Sequence, residues 1–111
     1  MESKKPRAPR FPLVVEAEIF DAQSGQSTQA TTSDLSMGGC YLEAPNPLPI
    51  RAAVRLKLIY SESSLTLFGD VVRSQPSEGM AVRFRTLEPN QMDTLKGWFF
   101  SLDRPGWPGG I

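Results

Sequence analysis

The chain has 111 residues, 12 Lys+Arg against 12 Asp+Glu for a formal net charge of +0, 40% hydrophobic residues, 10 Pro, 9 Gly, one Cys and no His. Such a length holds one small domain of the usual ~100–150 residues, too apolar for a disordered chain and without a run near the ~20 apolar residues of a spanning helix. Without histidine there is no Ser/His or Cys/His dyad and no His-containing zinc site, and the lone Cys40 builds neither an internal disulfide nor an all-cysteine zinc site.

Residues 1–10 carry Lys4, Lys5, Arg7 and Arg10 against Glu2, with Pro6 and Pro9 keeping them out of a helix. They read as an extended, flexible basic arm. No apolar stretch with a cleavage site follows this charged start, so a secretory signal is not expected and a cytoplasmic location is. From Phe11 a strict alternation begins, Phe11, Leu13, Val15, Ala17 and Ile19 on one face and Val14, Glu16 and Glu18 on the other, which is the period of a half-buried strand. Turn residues at 21–25 precede a polar second strand over residues 26–32. Cys40, Leu42 and Ala44 form a third strand, closed by Pro45, Pro47 and Pro49. Val54, Leu56, Leu58 and Tyr60 make a fourth; after a turn at residues 61–64, Leu65, Leu67, Gly69 and Val71 make a fifth; after a turn at 75–79, Met80, Val82 and Phe84 make a sixth. Beyond Glu88 the period becomes helical, with Met92, Leu95, Phe99 and Leu102 as the apolar stripe and Pro89 suited to the first turn. Trp98 and Phe100 lie off that stripe and have three possible roles: packing on the sheet, lining a ligand site or contacting a partner. Residues 103–111 read as a Gly/Pro-rich tail containing Trp107.

Strands this closely spaced leave no room for the crossover helices of a parallel sheet, and closing the sheet on itself removes its exposed edges. The expected fold is all-β: a six-stranded antiparallel barrel with one C-terminal helix over residues 11–102, the helix plugging one opening or covering a flank.

Chemistry concentrates in Asp34-Leu35-Ser36-Met37-Gly38-Gly39, expected between the second and third strands. A carboxylate such as Asp34 accepts two parallel hydrogen bonds from the ring N–H and amino group of a guanine; Ser36 adds a hydroxyl, and Gly38 and Gly39 let backbone approach a ligand. The same residues suit a turn held by side-chain to backbone bonds, with the glycines at positive φ. Arg73, Arg83 and Arg85 end or follow later strands and read as solvated outer-face charges that add positive potential only if a ligand lies beside them.

The Asp-x-Ser-x-x-Gly string of Asp34, Ser36 and Gly39, with a basic arm before the first strand and a helix after the sixth, resembles the PilZ family of bacterial cyclic di-GMP receptors. That resemblance implies a six-stranded barrel with a carboxyl-terminal helix and an Arg-x-x-x-Arg pair before the first strand, whose guanidiniums hold the ligand's phosphates and stack on its guanines. Arg10 occupies the place of the second arginine; the position four earlier is Pro6, with Arg7 three before and Lys5 five before. The ligand-binding residues it implies here are Arg7, Arg10, Asp34, Ser36, Gly38 and Gly39, with cyclic di-GMP as ligand and no further cofactor or metal.

The expected function is that of a non-enzymatic effector that binds cyclic di-GMP, orders its arm and signals to a protein partner in trans. The altered arginine spacing supports a different reading, a PilZ-like adaptor without nucleotide binding that uses Trp98, Phe100 or Trp107 as anchors. A barrel for single-stranded DNA or RNA calls for a basic groove with interleaved aromatics, against which zero net charge and the outer-face Glu16 and Glu18 argue. Membrane insertion is not expected.

Overall fold

The computed structural model describes residues 10–102, so Arg7 and the other arm residues before Arg10, and the tail 103–111 with Trp107, lie outside the described residues. Six strands and one helix follow in order: β1 (Glu16–Asp21), β2 (Ser27–Leu35), β3 (Gly39–Glu43), β4 (Ala53–Tyr60), β5 (Ser63–Gln75), β6 (Gly79–Phe84) and α1 (Pro89–Leu102). All pairings are antiparallel and the sheet closes as a barrel in the order β1-β2-β3-β6-β5-β4. The expected fold class is the observed one.

Alternation builds the core. Ala17 and Ile19 of β1, Leu42 of β3, Val54, Leu56 and Leu58 of β4, Leu65, Leu67 and Val71 of β5 and Met80, Val82 and Phe84 of β6 all point inward and are buried. Burying each of the larger side chains contributes about 1.5–3 kcal/mol.

Residues 11–15 keep the strand's burial rhythm without its pairing. Leu13 and Val15 are buried, yet β1 begins only at Glu16, and Phe11 forms one isolated bridge with Leu35. The buried Thr32 accounts for the difference: its Oγ1 accepts from the Val15 amide at 2.9 Å and donates to the Leu13 carbonyl at 2.7 Å, standing in for a ladder partner. The expected first strand from Phe11 is therefore shorter by its first five residues, which are strapped to β2 by the Thr32 side chain together with backbone bonds between Phe11 and Leu35 and from the Thr32 amide to the Val15 carbonyl.

Two bulges interrupt the barrel. In β2 the register shifts between Thr32 and Asp34, and in β5 between Val71 and Arg73. Each inserts one residue, Ser33 or Val72, and reverses the in/out parity downstream. β2 thereby continues through Leu35, so Asp34 is a strand residue and not a loop residue as expected.

The helix packs across the barrel end where β1 starts and β2 finishes. Leu95, Trp98 and Phe99 are buried; the Phe99 ring stacks on Phe11 with centroids 4.4 Å apart, Trp98 meets the edge of Tyr60 at 5.5 Å, and its Nε1 donates to Ser63 Oγ at 3.2 Å. Trp98 is thus a core residue at the i+3 position from Leu95, and no longer a candidate partner anchor, whereas Phe100 is exposed. Among the described residues no helix is long and apolar enough to cross a membrane.

Candidate functional site

A cavity of ≈ 480 Å³ opens on the outer face of β2, β3, β6 and β5, at the same end of the barrel as the helix. Its rim holds the root of the arm. Arg10, Asp34, Ser36, Gly38 and Gly39 all line it, so five of the six expected site residues come together; Arg7 lies outside the described residues.

The bulge at Ser33 is what turns Asp34 toward the cavity. Strict alternation from the inward Thr32 would send Asp34 into the core, where an unpaired carboxylate is costly; the extra residue sends Leu35 inward instead. The Asp34 carboxylate is partly exposed, and its Oδ2 sits 3.5 Å from Arg10 Nη1.

Ser36 plays a different part from the one its motif position suggests. Its Oγ accepts from the Gly38 and Gly39 amides, both at 3.1 Å, and lies 3.2 Å from the Gly39 carbonyl, to which it donates. The hydroxyl is committed to closing the 36–39 loop, which also holds a Ser36 amide to Gly39 carbonyl bond of 2.8 Å. Ser36 shapes the edge that carries Asp34, and the turn alternative holds for this residue.

The glycines divide. A Cβ on Gly39 would run into the Val82 carbonyl of β6, so this glycine permits β3 and β6 to approach while also lining the cavity. Gly38 has open space beyond the Ser36 hydroxyl at 3.9 Å, leaving its backbone accessible from the cavity. Neither has a positive φ, contrary to expectation for a glycine turn; Gly25 is the one glycine that does among the described residues.

The lining also takes in residues outside the motif, among them Tyr41, Arg73 and Arg83. The signal for the arginines was present in the sequence as late-strand charges, but their expected outer-face solvation carried no location. Arg85, the third of that group, instead forms a two-point pair with Asp70, at 2.6 and 3.0 Å. That pairing holds the Asp70 carboxyl below its ordinary value of 3.8, mainly through the hydrogen bonds from Arg85. Cys40 is buried beneath the cavity floor, and desolvation, with the Asp34 charge adding to it, pushes its thiol far above the ordinary range, so it stays a protonated core residue. Among the described residues no group of three or more His, Cys, Asp or Glu could hold a metal.

The sequence model described as "PilZ domain" matches residues 4–101. The chain belongs to the PilZ family. Solved PilZ structures share its fold: the PilZ domain of CeSA from a cellulose-synthesising bacterium superposes with TM-score 0.68 at 21% identity, covering 87% of this chain and 100% of that one. The PilZ domain of YcgR from Escherichia coli, solved with c-di-GMP, gives TM-score 0.73 at 14% identity over 91% of this chain and 93% of that one. The MrkH–c-di-GMP complex of K. pneumonia gives TM-score 0.74 at 19% identity over 90% of this chain, which spans 53% of MrkH. No curated protein matches the chain. PilZ domains are generally non-enzymatic receptor and adaptor domains.

Proposed function

We propose that this PilZ domain is a cyclic di-GMP receptor in which Asp34 reads a guanine edge and Arg10, with Arg7, engages the phosphates and stacks on the bases. One observation carries the reading: Arg10 and Asp34, 24 residues apart, meet at 3.5 Å on the rim of one cavity. A carboxylate offers two acceptors to the parallel N–H donors of guanine, and a guanidinium offers planar, bidentate donors to a phosphate. Ser36 enters as a positioning residue that fixes the loop, and Gly38 as the point where backbone meets ligand. Closure of residues 1–10 over the nucleotide alters the surface presented to a protein partner, which is the output. The protein works without catalysis, in the cytoplasm.

Calorimetric titration of cyclic di-GMP tests this, with cyclic di-AMP as the control that lacks guanine's paired donors. Saturable binding of the guanine compound alone supports the reading. No heat with either ligand at roughly several hundred micromolar, hence affinity of about millimolar or weaker, would overturn it in favour of an adaptor acting only through protein contacts.

A further inference from the structure

We infer that Arg73 and Arg83 form a second cationic clamp of the cyclic dinucleotide site, supplying phosphate contacts from the barrel wall in addition to those of the arm. The inference rests on the receptor reading above and adds to it residues outside the sequence motifs.

Strand register puts the clamp opposite the base-reading edge. Asp34 of β2 is level with Tyr41 of β3, Tyr41 with Ala81 of β6, and Ala81 with Arg73 of β5, so one row across four neighbouring strands runs from carboxylate to guanidinium. At ~4.8 Å per strand the row is about 14 Å long along the sheet. The row is low at Ala81, which has a single methyl group, and Tyr41 beside it is held in place by its hydroxyl donating to Gln75 Oε1 at 2.6 Å. Arg83, two residues on from Ala81 along β6, lies in the adjacent row between Gly39 and Asp70 and also lines the cavity.

The two bulges make this row. Without Val72 as an extra residue, Arg73 would share the inward parity of Val71; with it, Val72 and Arg73 are both exposed and both line the cavity. The bulge in β2 does the same for Asp34. Two separate breaks in the ladder thus deliver one acid and one base to the opposite ends of a single trough.

Charge completes the argument. The lining contains Arg10, Arg73 and Arg83 against Asp34 as its sole carboxylate. Arg83 is level with Asp70, but the ion pair Asp70 forms is with Arg85, which donates to both of its oxygens. Among the described residues neither Arg73 nor Arg83 has an ion-pair partner, while Arg10 and Arg85 each have one. Two uncompensated guanidiniums at diagonal positions on adjacent strands repel each other and attract a doubly anionic ligand. A molecule with two phosphates and two bases satisfies both ends of the trough: a guanine at Asp34, phosphate at Arg73 and Arg83.

The test is titration of cyclic di-GMP into the wild-type chain and the Arg73→Ala, Arg83→Ala and double variants, with Arg55→Ala as a control cation on another face. Both arginines are exposed, so the variants keep the fold, which unchanged thermal unfolding verifies. Each single variant is expected to weaken binding about tenfold or more, as loss of a charge-assisted contact does, and the double variant to flatten the salt dependence of affinity; Arg55→Ala leaves both unchanged. Binding by the double variant equal to wild type, at the same salt slope, overturns the clamp and leaves the receptor reading standing. Failure of the wild-type chain to bind removes the receptor reading and the clamp with it.

Discussion

Arg10 Nη1 lies 3.5 Å from Asp34 Oδ2, a contact that joins the root of the basic arm to the bulged end of β2. The Arg10 side chain is 59% exposed, and exposed ion pairs contribute only about 0–1 kcal/mol. Exchanging the carboxylate for a ligand phosphate is therefore inexpensive. Arg10→Ala is expected to leave the unfolding midpoint within a few degrees of wild type while cyclic di-GMP affinity drops about tenfold or more, since a charged hydrogen bond carries ~1.5–3 kcal/mol. Calorimetry beside a thermal melt checks both, and a large stability loss with unchanged affinity would make Arg10 a structural tether.

The adjacent glycines should separate cleanly. Gly39→Ala forces a methyl group into the Val82 carbonyl, backbone that cannot swing aside, so the β3–β6 pairing must open. A loss of about 1–3 kcal/mol or more is expected from such overpacking. Gly38→Ala meets open space and a negative φ, and should stay within about 0.5 kcal/mol of wild type, as uncrowded surface substitutions do. Urea unfolding of the two variants measures the contrast.

Alternation made the barrel legible, since period-2 burial from Leu13 to Ile19 and through Leu42, Leu56, Leu67 and Val82 is what a closed sheet requires. It failed where single residues are inserted. Ser33 and Val72 change the parity of everything after them, and nothing local in their side chains announces it, so alternation alone leaves Asp34 in a loop and Arg73 as no more than a solvated outer-face charge. Trp98 was ambiguous because a helix face of Leu95, Trp98 and Phe99 is wider than a single stripe, and what makes it wide is Tyr60 and Ser63, more than thirty residues away. Ser36 carried the correct motif but its hydroxyl is spent on the loop amides, which residue type alone does not distinguish from ligand contact.

Thr32 is 1% exposed and serves two backbone groups at once. Thr32→Val keeps the shape and removes the hydroxyl, leaving the Val15 amide and the Leu13 carbonyl without that partner in the core. A cost of about 1–3 kcal/mol is expected from each unsatisfied buried group, and the strap at residues 11–15 should loosen first. Amide hydrogen exchange at Val15, faster in the variant by more than global destabilisation requires, identifies the strap; uniform acceleration throughout the barrel argues against it.

The Asp70–Arg85 pair sets a pH dependence whose sign follows from the lowered Asp70 pKa. A carboxyl that is more acidic folded than unfolded stabilises the fold fully above its unfolded pKa, near 3.8, and loses that contribution as pH falls through the lower folded value. Asp70→Asn is thus expected to melt below wild type at neutral pH, with a gap that is constant down to about pH 5 and closes only below about pH 3.8. Melting curves from pH 7 to pH 2.5 check this. A gap that narrows between pH 7 and 5 would trace the pH dependence to another group.

Arg51 has φ 82, and the Ala52 amide donates to the Pro49 carbonyl at 3.1 Å, the arrangement of a type II turn with Arg51 at its third position. That position favours glycine, because a Cβ there crowds the backbone at a cost of roughly 1–2 kcal/mol. The strain is offset by the Arg51 amide, which donates to the Val71 carbonyl at 2.7 Å beside the β5 bulge. Arg51→Gly keeps that backbone bond and removes the clash, while the greater freedom of glycine in the unfolded chain takes back about 0.5–1 kcal/mol. The expected net gain is about 0.5–1 kcal/mol, read as a higher urea midpoint at unchanged slope. Arg51→Val, branched at the strained centre, should move the midpoint the other way.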